Sequence, residues 1–207
     1  MRRLLALLLP LAAAGGEPAN APMPAALGVQ IEKPAGDGVH FSIGSGVHLG
    51  NGTILTAAHV VTPDPANKAV TVILDGWKVE ATIKIIGKND LALIQIPPQA
   101  LSQQRLAQSQ VRICADDAGP NQRVVVASEG KVTPAATIST AITSEGKSGE
   151  GTNLLSSGFH HGDSGGGVFD PVRGCLWGII QMEMTGNNLD LTAFAPAHKI
   201  TTFLTKP

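Results

Sequence analysis

The chain is poor in charge: Asp, Glu, Lys and Arg make up only 15% of its 207 residues, against roughly 25% in an ordinary soluble domain. The charges nearly cancel, at a formal net of −1, and there is no Lys/Arg run or basic stripe of the kind that neutralises phosphates. Nucleic acid is therefore not expected as a partner. Cysteine is scarce too. Cys114 and Cys175 allow at most one internal disulfide, and the sequence leaves open whether they bridge or remain two buried thiols. Long apolar runs are missing as well: the run from Leu4 to Ala14 spans about eleven residues, whereas a bilayer needs roughly 20. No stable membrane anchor is expected. There is no low-complexity tract, and no internal repeat beyond a weak two-fold rhythm of strand-like runs.

Turn formers, by contrast, are abundant, with 24 glycines and 14 prolines beside a 43% apolar content. That balance points to a folded, mostly β chain with many short connections. Met1-Arg2-Arg3 followed by Leu4–Ala14 has the basic start and short apolar run of a cleavable signal peptide, with Ala12 and Ala14 at A-x-A spacing. Residues 1–14 are thus expected to be removed on export, secreted or periplasmic. Loss of Arg2 and Arg3 would leave a mildly acidic mature chain, and no cysteine follows the cut to carry a lipid. Residues 15–34, rich in Ala, Pro and Gly, read as a partly extended or flexible mature N-terminal segment, with the fold proper starting near Ala26.

Strand-length runs then alternate with turns: Val39–Ile43, Gly46–Leu49, Thr53–Thr56, Val70–Leu74, Lys78–Ile86 and Leu91–Ile96. Asn51-Gly52 and Asp75-Gly76 are hairpin signals, since both positions of such turns need positive φ. Pro97-Pro98 and the Gln-rich stretch to Gln110 form the best junction. Beyond it come Val111–Cys114, Arg123–Ala127, Thr137–Thr143, Asn153–Ser156, Gly167–Phe169, Leu176–Glu183 and Leu191–Ala195. Two such sets suggest two small closed barrels, residues 35–104 and 105–207, because closure removes exposed sheet edges. Ala197, Ile200 and Phe203-Leu204 have the spacing of a short closing helix.

Gly162-Asp163-Ser164-Gly165-Gly166-Gly167 is the strongest chemical signal. A serine among glycines can sit on a tight turn with backbone N–H donors close to a substrate carbonyl, although a flexible glycine loop would look alike. Serine needs a base. Of the six histidines, His59 follows a strand within Thr56-Ala57-Ala58-His59, where small neighbours leave room for the ring. His40 and His48 lie in alternating strands and His198 in the terminal helix. His160 and His161 are consecutive and point apart on an extended chain, so no metal pair is expected. The base in turn needs a carboxylate to hold its tautomer. Asp64, Asp75, Asp116 and Asp117 have local reasons to sit in turns. Asp90 instead leads directly into Leu91–Ile96, which suits either a carboxylate anchored at a barrel rim or a simple strand cap.

Gly44-Ser45-Gly46-Val47 leading to Thr56-Ala57-Ala58-His59-Val60, then Asn89-Asp90-Leu91-Ala92-Leu93, then Gly162-Asp163-Ser164-Gly165-Gly166, resembles the trypsin-like (chymotrypsin-fold) serine peptidases of bacterial type in motif and order. The likeness covers about residues 38 to 204. It implies an all-β fold of two six-stranded antiparallel barrels with the active site between them and a short C-terminal helix. It also implies Ser164 as nucleophile, His59 as base, Asp90 as its orienting carboxylate, and the N–H groups of Gly162 and Ser164 as oxyanion hole. Gly158 and Phe159 would stand near the base of the specificity pocket, with His161 on the way to the serine, and Gln181, Met182 and Glu183 would lie along an extended substrate. Protein or peptide substrates follow, with no metal and no organic cofactor. The oligomeric state is not legible. A catalytically inactive trypsin-like binding protein is the alternative, and esterase or amidase action would use the same groups.

Two departures stand out. There is no Ile-Val-Gly-Gly-like start after a basic cleavage site, so Asp163 lacks the partner that a new N-terminus supplies in the family, and Arg123 is the expected substitute. No aspartate stands where a pocket for Lys or Arg would place one, so cleavage after basic residues is disfavoured. Glu183 could narrow the pocket or favour a basic group.

Overall fold

The computed structural model describes residues 28–34, 41–62, 69–102, 110–138, 153–156, 158–186 and 189–205. Twelve strands form two closed six-stranded antiparallel barrels. The first contains β1 (Gly28–Pro34), β2 (Phe41–Gly50), β3 (Thr53–Ala57), β4 (Ala69–Leu74), β5 (Trp77–Ile86) and β6 (Leu91–Gln95). The second contains β7 (Arg123–Ser128), β8 (Lys131–Ile138), β9 (Asn153–Leu155), β10 (Gly167–Phe169), β11 (Leu176–Gly186) and β12 (Leu189–Pro196). Read around each barrel the orders are β1-β2-β3-β6-β5-β4 and β7-β8-β9-β12-β11-β10, one topology used twice. The faint rhythm of the sequence is this repeat.

β1 corrects the expectation for residues 15–34, because the first barrel takes its opening strand from the end of that segment. Val29 and Ile31 point into the core while Gln30 and Glu32 lie at the edge of burial, a period-two pattern masked by the Ala/Pro/Gly-rich residues before it. Val39–Ile43 and Gly46–Leu49 also merge into β2 over the described residues. Gly44 and Gly46 look like punctuation but are packing positions, closed over by Val60 and Ile54. In the second half, Val111–Cys114 makes only a single parallel bridge, Ile113 to Leu176, and β8 starts six residues earlier than read, at Lys131. The rest of that expected strand, residues 139–143, lies outside the described residues, as does the expected signal segment.

Strands at the junction are buried on both faces, which is why they read as continuous apolar runs. Ile54 and Ala57 enter the first-barrel core, while Leu55, Val47 and Leu91 face the other way. There they meet Phe169, Leu176, Ile179 and Ala195 of the second barrel in a shared, buried apolar interface. The closing helix runs Ala197–Thr205 and is α2 here; Ile200 and Phe203 join that interface, whereas Leu204 is exposed. Helix and interface together fix one barrel on the other, and so fix the cleft between them.

The second barrel carries a disulfide, Cys114–Cys175, with Cα atoms 5.1 Å apart. Beside it Arg173 reaches Asp116 at 2.7 Å, binds Asp170, and lies 5.2 Å from the centre of the Trp177 ring. The guanidinium hydrogen bond holds the Asp116 carboxyl below its usual value. Burial pushes Asp170 up, but hydrogen bonds from the Arg173 side chain and from the N–H groups of Arg173 and Val172 outweigh it, and its pKa too is lowered.

Candidate active site

β3 runs directly into a single helical turn, α1 (Ala58–Val61), whose opening N–H groups lack intrahelical partners. Asp90 supplies one. Its Oδ1 accepts the His59 N–H at 3.0 Å, and its carboxylate faces the ring Nδ1 at 2.9 and 3.1 Å. The Ala58 N–H bonds the Asp90 carbonyl at 3.1 Å, tying α1 to the start of β6. To do this Asp90 adopts φ of +53°, a left-handed conformation that aspartate tolerates better than most residues. A carboxylate at Nδ1 favours the neutral tautomer in which Nε2 is the free acceptor, the form a general base requires.

Ser164 sits on the loop before β10, and the loop is fastened to the first barrel. The Ser45 N–H donates to the Ser164 carbonyl and the Ser45 hydroxyl to the Gly162 carbonyl, both at 2.7 Å. Gly165 adopts φ of +87°, and a Cβ there would lie 2.0 Å from the Ser45 carbonyl oxygen and 2.3 Å from Thr56 Oγ1. Only glycine allows that approach. Gly162 is likewise at φ of +103°. Among the described residues neither the Gly162 N–H nor the Ser164 N–H has an acceptor, and the Ser164 hydroxyl makes no hydrogen bond. Catalytic hydrogen bonds are often long in empty sites and shorten with substrate. His59, Ser164, Gly162 and His161 line one cleft of about 470 Å³, together with Ile43, Val60 and Glu129.

Asp163 is held differently from the expectation. Its carboxylate accepts from the Ser128 hydroxyl at 2.5 Å and from the His160 N–H at 2.9 Å. Arg123 stands at the other end of β7, about 16 Å from Ser128 at the usual strand rise, and lines a separate surface groove. Two neutral donors suffice, because a carboxylate satisfied by hydrogen bonds needs no counter-charge at a half-buried site.

The expected substrate contacts divide. His161 lines the cleft and Gly158 is half-buried in the segment before it. Phe159 is instead buried within the second-barrel core, its N–H bonded to Thr192 Oγ1 at 3.1 Å. Gln181 bulges out of the β11–β12 register, and its side-chain amide donates to the Asn89 carbonyl at 2.7 Å, joining the two barrels beside Asp90. Met182 and Glu183 pair with Ala193 and Thr192 of β12. β10 pairs β11 only as far as Ile179, and Ile180 exchanges hydrogen bonds with Gly165 and Gly166. Among the described residues, the edge of β11 beyond Ile180 on the Ser164 side has no strand partner. His48 is structural, accepting the Gly52 N–H at 3.1 Å; His40 lies outside the described residues. No group of three His, Cys, Asp or Glu among the described residues is placed to hold a metal.

Comparison with known proteins identifies the fold and the family. Solved structures with the same fold include the Rv3671c protease of M. tuberculosis in its active form, at 20% identity and TM-score 0.66 over 97% of this chain and 94% of that one. A human pathogenic astrovirus serine protease matches at 21% identity and TM-score 0.58 over 83% and 90%. HL collagenase matches at 19% identity and TM-score 0.66 over 87% of this chain and 92% of that one. A search of curated protein sequences finds no match. The family model for the trypsin-like peptidase domain matches residues 44–179, from the Gly-Ser-Gly of β2 through His59, Asp90 and Ser164 into β11, and the chain belongs to that family.

Proposed function

We propose that the chain is a serine endopeptidase acting through an acyl-enzyme intermediate. The observation that carries the reading is the conjunction in one cleft of an aspartate-held histidine with a serine whose loop leaves two backbone N–H groups unpaired. Ser164 Oγ attacks the peptide carbonyl while His59 Nε2 takes its proton, and the Gly162 and Ser164 N–H groups receive the developing oxyanion. His59 then gives the proton to the leaving amine, and water repeats the sequence to free the acid. Each oxyanion donor is worth about 3 kcal/mol of transition-state stabilisation.

The unpaired edge of β11 supports binding of the acyl side of the substrate as an added strand, with main-chain bonds giving affinity. With Phe159 in the core and no aspartate at the pocket base, cleavage after Lys or Arg is not favoured. Export to an oxidising compartment is supported by the signal-like residues 1–14 together with the Cys114–Cys175 bridge. An activated ester tests the mechanism: a burst of leaving group stoichiometric with enzyme, absent in Ser164→Ala, is expected. Turnover without dependence on Ser164 would overturn it.

A further inference from the structure

Glu129 is used by none of the chemistry above, yet its carboxylate lies in the cleft. The β7–β8 hairpin closes through Glu129-Gly130, with φ of +46° and +73°. A glutamate in the left-handed region is costly and needs support. Ser45 provides it: the Glu129 N–H donates to Ser45 Oγ at 3.0 Å, and the same hydroxyl donates to the Gly162 carbonyl. The turn is thereby tied to the nucleophile loop. The side chain folds over that loop, so that Oε1 occupies the place of a Gly162 side chain, 2.2 Å from where a Cβ would stand.

We propose that Glu129 makes this peptidase select a Lys or Arg side chain on the leaving-group side of the scissile bond. The inference rests on the peptidase reading and names its substrate class. The described lining residues of the cleft that holds Glu129 come from β2, α1, the β7–β8 turn and the nucleophile loop, and none of them is from β11 or is Gly158 or Phe159. The acyl side lies along β11, so this cleft takes the amine side, where His59 delivers its proton. Among the described lining residues Glu129 is the one carboxylate and there is no Lys or Arg. Its cationic neighbour, Lys131, stands 3.7 Å away at the start of β8, with a largely solvated side chain that a substrate cation can displace. An anion in contact with Gly162 also opposes the negative charge that forms at the neighbouring oxyanion donors. A substrate cation on Glu129 cancels that opposition, so a basic residue raises kcat as well as lowering KM.

The test is a set of quenched peptides identical up to the scissile bond and carrying Lys, Arg, Ala or Glu at the first or second position after it. Wild type should prefer Lys over Glu by about tenfold or more in kcat/KM at one of these positions, and the ratio should shrink in high salt. Glu129→Gln should bring the ratio near unity while raising kcat for the Ala peptide, a gain that a merely structural role would not produce. Glu129→Lys should reverse the preference. If Glu129→Gln fails to fold by near-ultraviolet circular dichroism, Glu129→Asp should keep a smaller basic preference, and the wild-type salt dependence stands as a second readout. Cleavage at equal rates for Lys and Glu peptides by wild type, or an unchanged ratio in Glu129→Gln, overturns this inference and leaves the peptidase reading intact. No cleavage and no reaction of Ser164 with a fluorophosphonate would bring down both.

Discussion

Two histidines in this chain are held by aspartates in nearly the same way. His59 and His198 each occupy the second position of a helix, α1 and α2, where the backbone N–H has no helical partner. In each pair one carboxylate oxygen accepts that N–H at 3.0 Å, from Asp90 in the first case and Asp117 in the second. In each the other oxygen meets ring Nδ1, at 2.9 Å and 2.5 Å respectively. The carboxylate at Nδ1 and the helix start are shared; the surroundings are not. His59 shares its cleft with Ser164, whereas His198 lies on the outside of the second barrel at the head of the closing helix. An aspartate–histidine pair thus finishes a helix N-terminus at two places among the described residues, and of the two only His59 stands in a cleft with a serine hydroxyl.

The largest difference should come from that histidine and serine. Ser164→Ala or His59→Ala is expected to lower kcat by roughly 10⁴- to 10⁶-fold, and the double variant should be no worse than either alone, because the two act as a unit. His198→Ala should leave kcat within about twofold; a comparable loss in both histidine variants would erase the contrast. Next come the carboxylates. Asp90→Asn should reduce kcat by about 10⁴-fold through the wrong tautomer. Asp117→Ala should spare kcat/KM and instead cost about 0.5–2 kcal/mol of stability, read from urea midpoints, because it removes a helix cap.

The disulfide and the Arg173 cluster sharpen the comparison on the stability side. Replacing Cys114 and Cys175 by serine opens a loop with a sequence separation of 61, and a loss of about 4 kcal/mol follows from chain entropy. Asp116 and Asp170 have folded-state pKa values below their unfolded ones. Their contribution is therefore fully present above the ordinary carboxylate range and is lost as pH falls through the lowered values. Arg173→Met should be destabilising near neutrality and should flatten the acid limb of the stability profile, with the smallest effect on activity of any change named here. A steeper acid limb in that variant would contradict the assignment.

Much of the fold around the candidate site was legible because its residues sit in local patterns. Asn51-Gly52 and Asp75-Gly76 turn as two-residue hairpins at positive φ, and the strand expected after Asp90 is β6, Leu91–Gln95. What stayed hidden depends on contacts between distant segments. β1 was obscured by its neighbours' composition, although its own alternation is clear once residues 28–34 are taken alone. Glu129-Gly130 is not a standard turn pair, and it forms because Ser45, far away in sequence, caps it. Asp163 bonds Ser128, 35 residues away, and Cys114 meets Cys175 where Ile113 bridges to Leu176 at the start of β11. Phe159, expected near the base of a pocket, lies in the second-barrel core with its N–H on Thr192 Oγ1, a contact with a distant strand that the local sequence does not show.

The most direct measurement is the rate at which a fluorophosphonate labels Ser164 in the wild type, in His59→Ala and in His198→Ala. Wild type and His198→Ala should label at one rate, with His59→Ala slower by about 10³-fold or more. Equal labelling in all three, or labelling of a residue other than Ser164, would contradict the account.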